Sequence, residues 1–577
     1  MNQKIKSIVL LLVFGLTTFS CVDVLDLNNT KQTPDTEVWR TETSADMLIT
    51  SVYRTISDIS QVENSRTQFY DSYSDLMKST SWTSYNHNYN RVLLEASAFA
   101  TGSAGAFECW SDVYVRIRRA NVIMDEIKRF GVPNFGEDWC NIRRAEVRLC
   151  RAISYYRLIR VYGGVIIRTD VSGADGSLDN GANPADVHKK RETEADSWNF
   201  VLSELQWAAD HLPDEWTKEW TGRATKKTAY GFISRMALYA KKWQIAADAA
   251  EKVAELGGEL APNYAKVFQV EAGQDNSKEL LFALYYLKGS KTHTFDQYNR
   301  PIGDKAVHGY DVYAEHVPTA ELADLYEFSN GEAFSWSTWS LNNTDPFTNR
   351  EPRFHATILA NGSKWEGRVI QSFLGPSTSE NGTDAFVAFT RSGSTGGNTC
   401  TGYYLRKYLQ EGNDFEIQSS YQYDAVLRYA EVLLNKAEAY AELDYGSNRE
   451  KALAALNEVR DRVNLPLRTV SEASNKEDFM TLLRRERCVE LAGEGFRYWD
   501  LRRWRFAESV INGQNAHGVK ITKNSVGNLS YERVSVDGVN SDGSPVSQRV
   551  FLERYYYFSL PTSELSNNNL ALNNDWW

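Results

Sequence analysis

The sequence predicts a mainly α protein: tetratricopeptide-like helical hairpins, a loop-rich irregular portion and a few short strands. Three observations predict it. Paired amphipathic stretches recur, with alanines where two helices would touch. The stretches between them are long, polar and aromatic rather than apolar. Strand-like alternation is confined to the region near the C-terminus.

In chain order, Trp110–Lys128 places Val113, Ile117, Ala120 and Met124 at helical spacing. Ala145–Gly163 does the same with Leu149, Ala152, Tyr156 and Ile159, and Gly163-Gly164 is a stop signal. A Gly/Asp/Asn/Ser-rich loop covers 170–186, and Trp198–Pro213 reads as a further helix. Gly222–Gly258 contains two amphipathic stretches flanking Lys241-Lys242-Trp243. A second pair is Asp424–Leu443 with Ala452–Val463. Between the pairs, 289–310 and 329–420 are rich in Gly, Ser, Thr, Asn and aromatics, and that aromatic content argues against disorder. Lys476–Glu494 is helical in pattern. Arg533–Val539 and Gln548–Leu560 alternate like strands, with Asp537-Gly538 as a turn.

Composition narrows the function. The 577 residues are 42% hydrophobic and 12% aromatic, and they include 16 Trp and 31 Tyr. Such an excess suits surfaces that stack on ring-shaped ligands, although aromatics also fill cores. The net charge of −11 makes the chain a poor binder of phosphate backbones, so nucleic acid is not an expected partner.

The N-terminus has Lys4 and Lys6, then an apolar run from Ile8 to Leu16, which is too short to span a bilayer. This is the layout of a secretory signal over residues 1–20. Thr18-Phe19-Ser20-Cys21 looks like a bacterial lipoprotein box, in which Cys21 is acylated and becomes residue one. The alternative is ordinary cleavage beside an incidental cysteine. Cys109, Cys140, Cys150, Cys400 and Cys488 remain, an odd number without a CxxC, and most are expected to be buried thiols.

One stretch concentrates the chemistry. Glu494–Phe506, EGFRYWDLRRWRF, holds four arginines and five aromatics. Upstream, Glu486, Glu490 and Glu494 fall one helical turn apart, and like charges at that spacing repel. Arg497, Arg502, Arg503 and Arg505 follow at once. The expected arrangement is an Arg–Glu network tying this helix to the next segment, with Phe496, Trp499 and Trp504 packed inward. The competing reading is a carboxylate pair for glycoside cleavage. Carboxylates facing many arginines have depressed pKa values, which makes a poor general acid. No HExxH, P-loop or GxSxG is present, no cofactor is implied, and a structural Ca²⁺ has no sequence support.

Glu486–Trp504, ERCVELAGEGFRYWDLRRW, closely resembles the signature of the RagB/SusD family of Bacteroidetes surface lipoproteins. Its motif positions here are Glu486, Glu490, Glu494, Arg497, Asp500, Arg503 and Trp504. The resemblance runs along nearly the whole mature chain. It includes Cys21-VDVLDL, Glu37–Arg54, the Trp110 and Ala145 helices, Gly222-RATK, Pro318–Gly331, Arg350–Phe354, Gly402–Tyr408, Arg428–Leu443 and Asn457–Pro466. Val165–Ile167 departs from it where a proline is usual, and the tail from Ser559 is an imperfect version of the family ending.

The resemblance implies one SusD-like unit over 21–577. Its parts would be an N-terminal helical part to about 288, a loop-rich ligand-binding part over about 289–420, and a signature part over about 421–577. It implies a non-catalytic, lipid-anchored protein exposed on the outer-membrane surface. Such a protein captures an oligosaccharide or polysaccharide, or in some members peptides, and delivers it to a SusC-like TonB-dependent barrel.

A glycan site needs aromatic platforms and polar edges. The first choice is the loop Ser81–Arg91, where Trp82 and Tyr85 would stack and Asn86, His87 and Asn88 would hydrogen-bond, with Arg66 contributing. His293–Arg300, carrying Tyr298, and Ser335–Asn343, carrying Trp336 and Trp339, come next. For each loop the alternative is packing on the body or contact with a partner.

Overall fold

A computed structural model describes residues 35–82, 89–96, 98–171, 188–269, 278–339, 345–391, 393–412, 414–538 and 548–577. The signal segment, Cys21, Tyr85, Asn86, His87 and Asn88 lie outside the described residues. No helix among them is long and apolar enough to cross a membrane.

Among the described residues, eight helices form the body. They are α1 (Glu42–Thr50), α2 (Trp110–Glu126), α3 (Val132–Tyr162), α4 (Glu194–His211), α5 (Lys226–Tyr239), α6 (Trp243–Glu255), α7 (Tyr429–Asp461) and α8 (Lys476–Glu490). From α2 onward each packs on the next in the chain. Two of them are broken. Gly136 interrupts α3 at φ 81, and Asp444 splits α7 into two arms at φ −168, ψ 97. Start signals are local: Thr41, Thr193 and Asn475 each accept a hydrogen bond from a first-turn amide of α1, α4 and α8. The α5–α6 hairpin turns through Lys241, a non-glycine at φ 54. Its touching faces are small: Ala246, Ala247, Ala249 and Ala250 are all buried on α6.

The motif Gly222–Lys226, GRATK, is a junction between helices. Gly222 sits at φ 96, a conformation costly for other residues. Arg223 reaches Asp46 of α1 at 3.1 Å and Glu146 of α3. Thr225 and Thr228 form a reciprocal cap on α5. Five residues thus join three helices.

The contact of α6 with α7 skips the whole loop-rich insert. Short strands brace that insert. β1 (Met77–Ser79) pairs with β3 (His316–Pro318), β2 (Leu280–Leu284) with β4 (Asp424–Arg428), and β5 (His517–Lys523) with β6 (Leu529–Ser535), all antiparallel. The β2–β4 pair, with Leu280 opposite Arg428, closes the base of the insert. The β1–β3 pair sets residues after Ser79 beside those before His316.

The structure corrects two strand expectations. The observed β6 is Leu529–Ser535, four residues earlier than the alternation at Arg533–Val539 suggests. Gln548–Leu560 is not a strand. It carries a 3₁₀ turn at Glu553–Tyr556 and lies as extended chain along the body, making single bonds such as Val550 N–H to Leu93 O and Phe558 N–H to Val161 O. Its buried Phe551, Tyr555, Tyr556, Phe558 and Leu560 explain the apolar content without a ladder. Cys109, Cys140, Cys150, Cys400 and Cys488 are all buried free thiols.

Candidate functional site

The signature residues build a buried ionic network. Helix α8 ends at Glu490, so only Glu486 and Glu490 share its face. Gly493 and Gly495, at φ 77 and 79, then reverse the chain. The buried Asp71 clamps this reversal by accepting from Gly493 N at 2.7 Å, Gly495 N at 3.3 Å and Arg497 N at 3.2 Å. The reversal carries Glu494 back into the core.

The cations that meet the three glutamates are not the arginines that follow them in the chain, which corrects the expected pairing. Glu486 pairs with Arg353 at 2.6 Å and Arg460 at 2.9 Å. Glu490 pairs with Arg428 at 2.6 Å, Arg462 at 2.5 Å and Arg353 at 3.1 Å. Glu494 pairs with Lys407 at 2.6 Å and Arg428 at 2.7 Å. Arg428 and Arg462 also hold Glu279, Arg460 holds Glu327, and Arg353 holds Glu351. Arg353 and Lys407 come from the insert, and the other arginines from α7, its C-cap and the strand leading into it. The network therefore fastens the insert to the helical body.

The arginines of Glu494–Phe506 turn elsewhere. Arg497 pairs with Asp75 at 2.8 Å. Asp500, on α9 (Arg497–Arg503), takes Arg487 at 2.8 Å and Arg503 at 2.7 Å. Arg503 also pairs with Glu438, which accepts the Trp504 indole N–H at 2.8 Å. Trp499 is buried, whereas Phe496 and Trp504 are half-buried.

This arrangement does not suit acid–base chemistry. Burial alone would push the Glu490 carboxyl upward, but Arg462, Arg428 and Arg353 overcome it and hold it well below the usual range. Burial is overcome likewise at Glu486, by Arg353 and Arg460. Both carboxylates are buried and fully engaged in ion pairs.

A second locus lies at the surface of the insert. Tyr298 stacks on Tyr313 with ring centroids 5.0 Å apart and 16° between planes. The Arg66 guanidinium carbon stands 4.1 Å from the Tyr298 centroid. Main-chain bonds fix the pair: Tyr313 N–H donates to Gln297 O, and Glu315 N–H to Tyr298 O. Ala314, between Tyr313 and Glu315, is buried at φ 41, a strained conformation for alanine.

The same segment meets the start of the first-choice loop, because Thr80 N–H donates to Glu315 O and the Thr80 hydroxyl to Ala314 O at 3.1 Å. Two residues on, Trp82 donates its N–H to Gly393 O at 2.8 Å. Its ring is 6.4 Å from Phe389, with the Arg391 guanidinium 5.3 Å and that of Arg91 6.0 Å from its centre. The fold thus stacks Arg66 on Tyr298, and through Thr80 it ties the segment that leads into Trp82 to the one that carries Tyr313; these two patches form the candidate rim. Tyr313, which is 40% exposed, and Arg391 are rim residues that sequence reasoning missed. The aromatic pair Tyr310 and Tyr313 beside Gly309 was the available signal.

Trp336 and Trp339 sit in another aromatic cluster. Their rings lie 5.3 Å apart and contact Phe334 and Tyr531, and the Trp336 indole N–H is held by Asp324 at 3.0 Å.

Asp304, His308 and Glu366 have ligand-like spacing, with atoms within 4.8 Å of one another. Their carboxylates are already engaged. Asp304 accepts from Arg300 at 3.0 Å, Trp365 at 2.9 Å and Arg368, while Glu366 accepts from Arg300 and from His308 at 3.0 Å. A cation would have to displace these guanidiniums, so the donor set fits an ion-pair cluster better than a metal site.

Comparison with known proteins places this architecture. Residues 278–577 match the model described as "SusD family", and residues 23–238 match one described as "Starch-binding associating with outer membrane". The chain is 26% identical over 423 residues to a SusD-like protein, P2, of Formosa agariphila, covering 71% of this chain and 73% of that one. It is 24% identical over 496 residues to a SusD-like protein of Bacteroides ovatus, covering 82% and 77%. A SusD-like protein structure from Bacteroides fragilis superposes with a TM-score of 0.74 at 24% identity, covering 94% of this chain and 99% of that one. A laminarin-binding SusD-like protein superposes with a TM-score of 0.64 at 19% identity, covering 93% and 100%. With more than half its length matched by the family model, the chain belongs to the SusD family.

Proposed function

We propose that this protein captures an oligosaccharide or polysaccharide at the Trp82–Arg66–Tyr298–Tyr313 rim and delivers it, uncleaved, to a SusC-like TonB-dependent barrel. It would be held at the outer-membrane surface by acyl chains on Cys21. The observation that carries the reading is the stacked, partly exposed Tyr298–Tyr313 pair with a guanidinium on Tyr298. Flat apolar faces suit sugar rings, and the adjoining Arg side chains supply donors to hydroxyls. The descriptions of the relatives as starch-associated or laminarin-binding support the ligand class. The three arginines Arg66, Arg91 and Arg391 beside these rings also favour a second reading, an acidic peptide or glycopeptide.

The test is calorimetry and native affinity gels with protein from residue 22 onward, against plant and host polysaccharides and acidic peptides. The same mixtures are assayed for released sugar ends. Glycan binding without cleavage, weakened in Tyr298→Ala and Trp82→Ala, is the expected result. Peptide binding alone would move the second reading to the front, and cleavage would overturn the non-catalytic one. Copurification with a TonB-dependent barrel, and labelled-palmitate incorporation lost in Cys21→Ala, test delivery and anchoring.

A further inference from the structure

Two buried arginines stand apart from the ion pairs described above. Arg160 of α3 reaches only the hydroxyls of Tyr156 and Tyr70, each at 3.5 Å. Arg502 of α9 donates to the Tyr498 hydroxyl at 3.3 Å and to the Tyr556 carbonyl. Neither has a carboxylate partner among the described residues. Their guanidinium carbons lie 4.2 and 4.9 Å from the centre of one indole, Trp499. The Nε–H of Arg160, the Nε–H of Arg502 and the Nε1–H of Trp499 are all without an acceptor among the described residues. These side chains belong to residues only 8%, 5% and 2% exposed.

All three residues line one cavity of about 90 Å³ between α3, α9 and Tyr556–Tyr557. The exposed Lys241, in the α5–α6 turn, and Arg505 also line it and mark its way to solvent. Arg503 is neutralised by Glu438 and Asp500, and Arg505 faces Glu553 at 3.3 Å. Glu194 is the acid on the wall, and its Oε1 already accepts from the Tyr557 hydroxyl and from Trp198 at 3.3 Å. The wall therefore presents donors and positive charge, with one carboxylate that faces two other donors.

Stacking on Trp499 eases the burial of a guanidinium but leaves its charge unbalanced. Burial lowers the pKa of Arg502, and the neighbouring Arg160 adds to the effect. Water filling the cavity would accept the free N–H groups without neutralising two like charges. We infer that this cavity is a binding site for a small inorganic anion, such as chloride, sulfate or phosphate. The anion accepts from Arg160, Arg502 and Trp499, and Lys241 guards the entrance. The site is separate from the aromatic rim and does not rest on the glycan reading.

The test is thermal denaturation of the purified mature protein titrated with sodium chloride, sulfate or phosphate. Ionic strength is held constant with sodium gluconate, whose anion is too bulky for the cavity. A saturable rise in Tm with at least one of the three is expected. Arg502→Met should weaken that binding by about tenfold or more, and Lys241→Ala by roughly two- to threefold with the fold intact. Crystals soaked in bromide should show an anomalous peak between Arg160 and Arg502. A Tm response that does not saturate, or that is identical in wild type and Lys241→Ala, would overturn the inference, as would bromide crystals with no peak in the cavity. If Arg502→Met does not fold, Lys241→Ala and the bromide map still decide it.

Discussion

Arginine and aromatic side chains dominate two regions of this molecule, the buried network around Glu490 and the rim around Tyr298, and they serve opposite ends there. In the network each arginine faces carboxylates at ion-pair distance, out of water. At the rim the guanidiniums lie over ring faces and the rings reach solvent. A buried charge without its partner is severely destabilising, whereas an exposed cation–π contact contributes little to stability. The same residue types thus brace the fold in one place and face outward in the other, and burial decides which.

The comparison breaks first at Glu490. Glu490→Gln leaves Arg353, Arg428 and Arg462 facing one carboxylate fewer, at an expected cost of about 3–5 kcal/mol. Thermal denaturation, or loss of soluble protein, would register it. An unchanged Tm would remove the network as the brace between insert and body.

The next effect is one of pH. His293 precedes the short helix that carries Tyr298. Its Nε2–H donates to Gln422 O at 2.7 Å, and its Nδ1 accepts from Phe295 N–H at 3.2 Å, so the ring must be neutral. Burial lowers its pKa from 6.5 to about 4, against the opposing pull of the Gln422 carbonyl. The unfolded chain therefore takes up this proton at a higher pH than the folded one. The stabilisation is complete above about pH 6.5 and is lost as pH falls toward 4, on the order of 3 kcal/mol in all. Denaturant melts across that window should be flatter in His293→Gln than in wild type. Equal slopes would show that the histidine does not tie the rim's support to pH.

At the rim the order of effects reverses. Tyr298→Ala and Trp82→Ala should change stability by about 1 kcal/mol or less, yet weaken glycan binding by roughly five- to tenfold. Paired melts and calorimetry on the same samples sharpen the contrast, and a large drop in Tm with unaltered binding would reassign both rings to the scaffold. Arg66→Ala is the smallest change, with about 0.5–1 kcal/mol of binding lost and no measurable change in Tm.

Much of the helical body was legible because its signals are local. Periodicity marked α2, α3, the α5–α6 hairpin and most of α7, although Asp424–Arg428, expected as the start of that helix, is strand β4; the caps at Thr225 and Thr193 lie within a few residues of the amides they bind. Gln548–Leu560 misled because burial of extended chain against the body produces the same apolar pattern as a strand, and only a ladder partner separates the two. The rim was half legible. Arg66, Trp82 and Tyr298 stood out as an arginine and aromatics in polar loops, whereas Tyr313 gains its role only by stacking on Tyr298.

From the sequence by itself came the mainly α class, the positions of the hairpins, and the need for cations against Glu486, Glu490 and Glu494. Helix geometry and like-charge repulsion act over one or two turns, so a short window suffices. Which cations answer that need was decided by the tertiary structure alone. Arg353 lies 133 residues from Glu486, and Arg428 lies 62 residues from Glu490. Ion pairs follow distance in space, and the reversal at Gly493 and Gly495 together with the β2–β4 closure sets that distance.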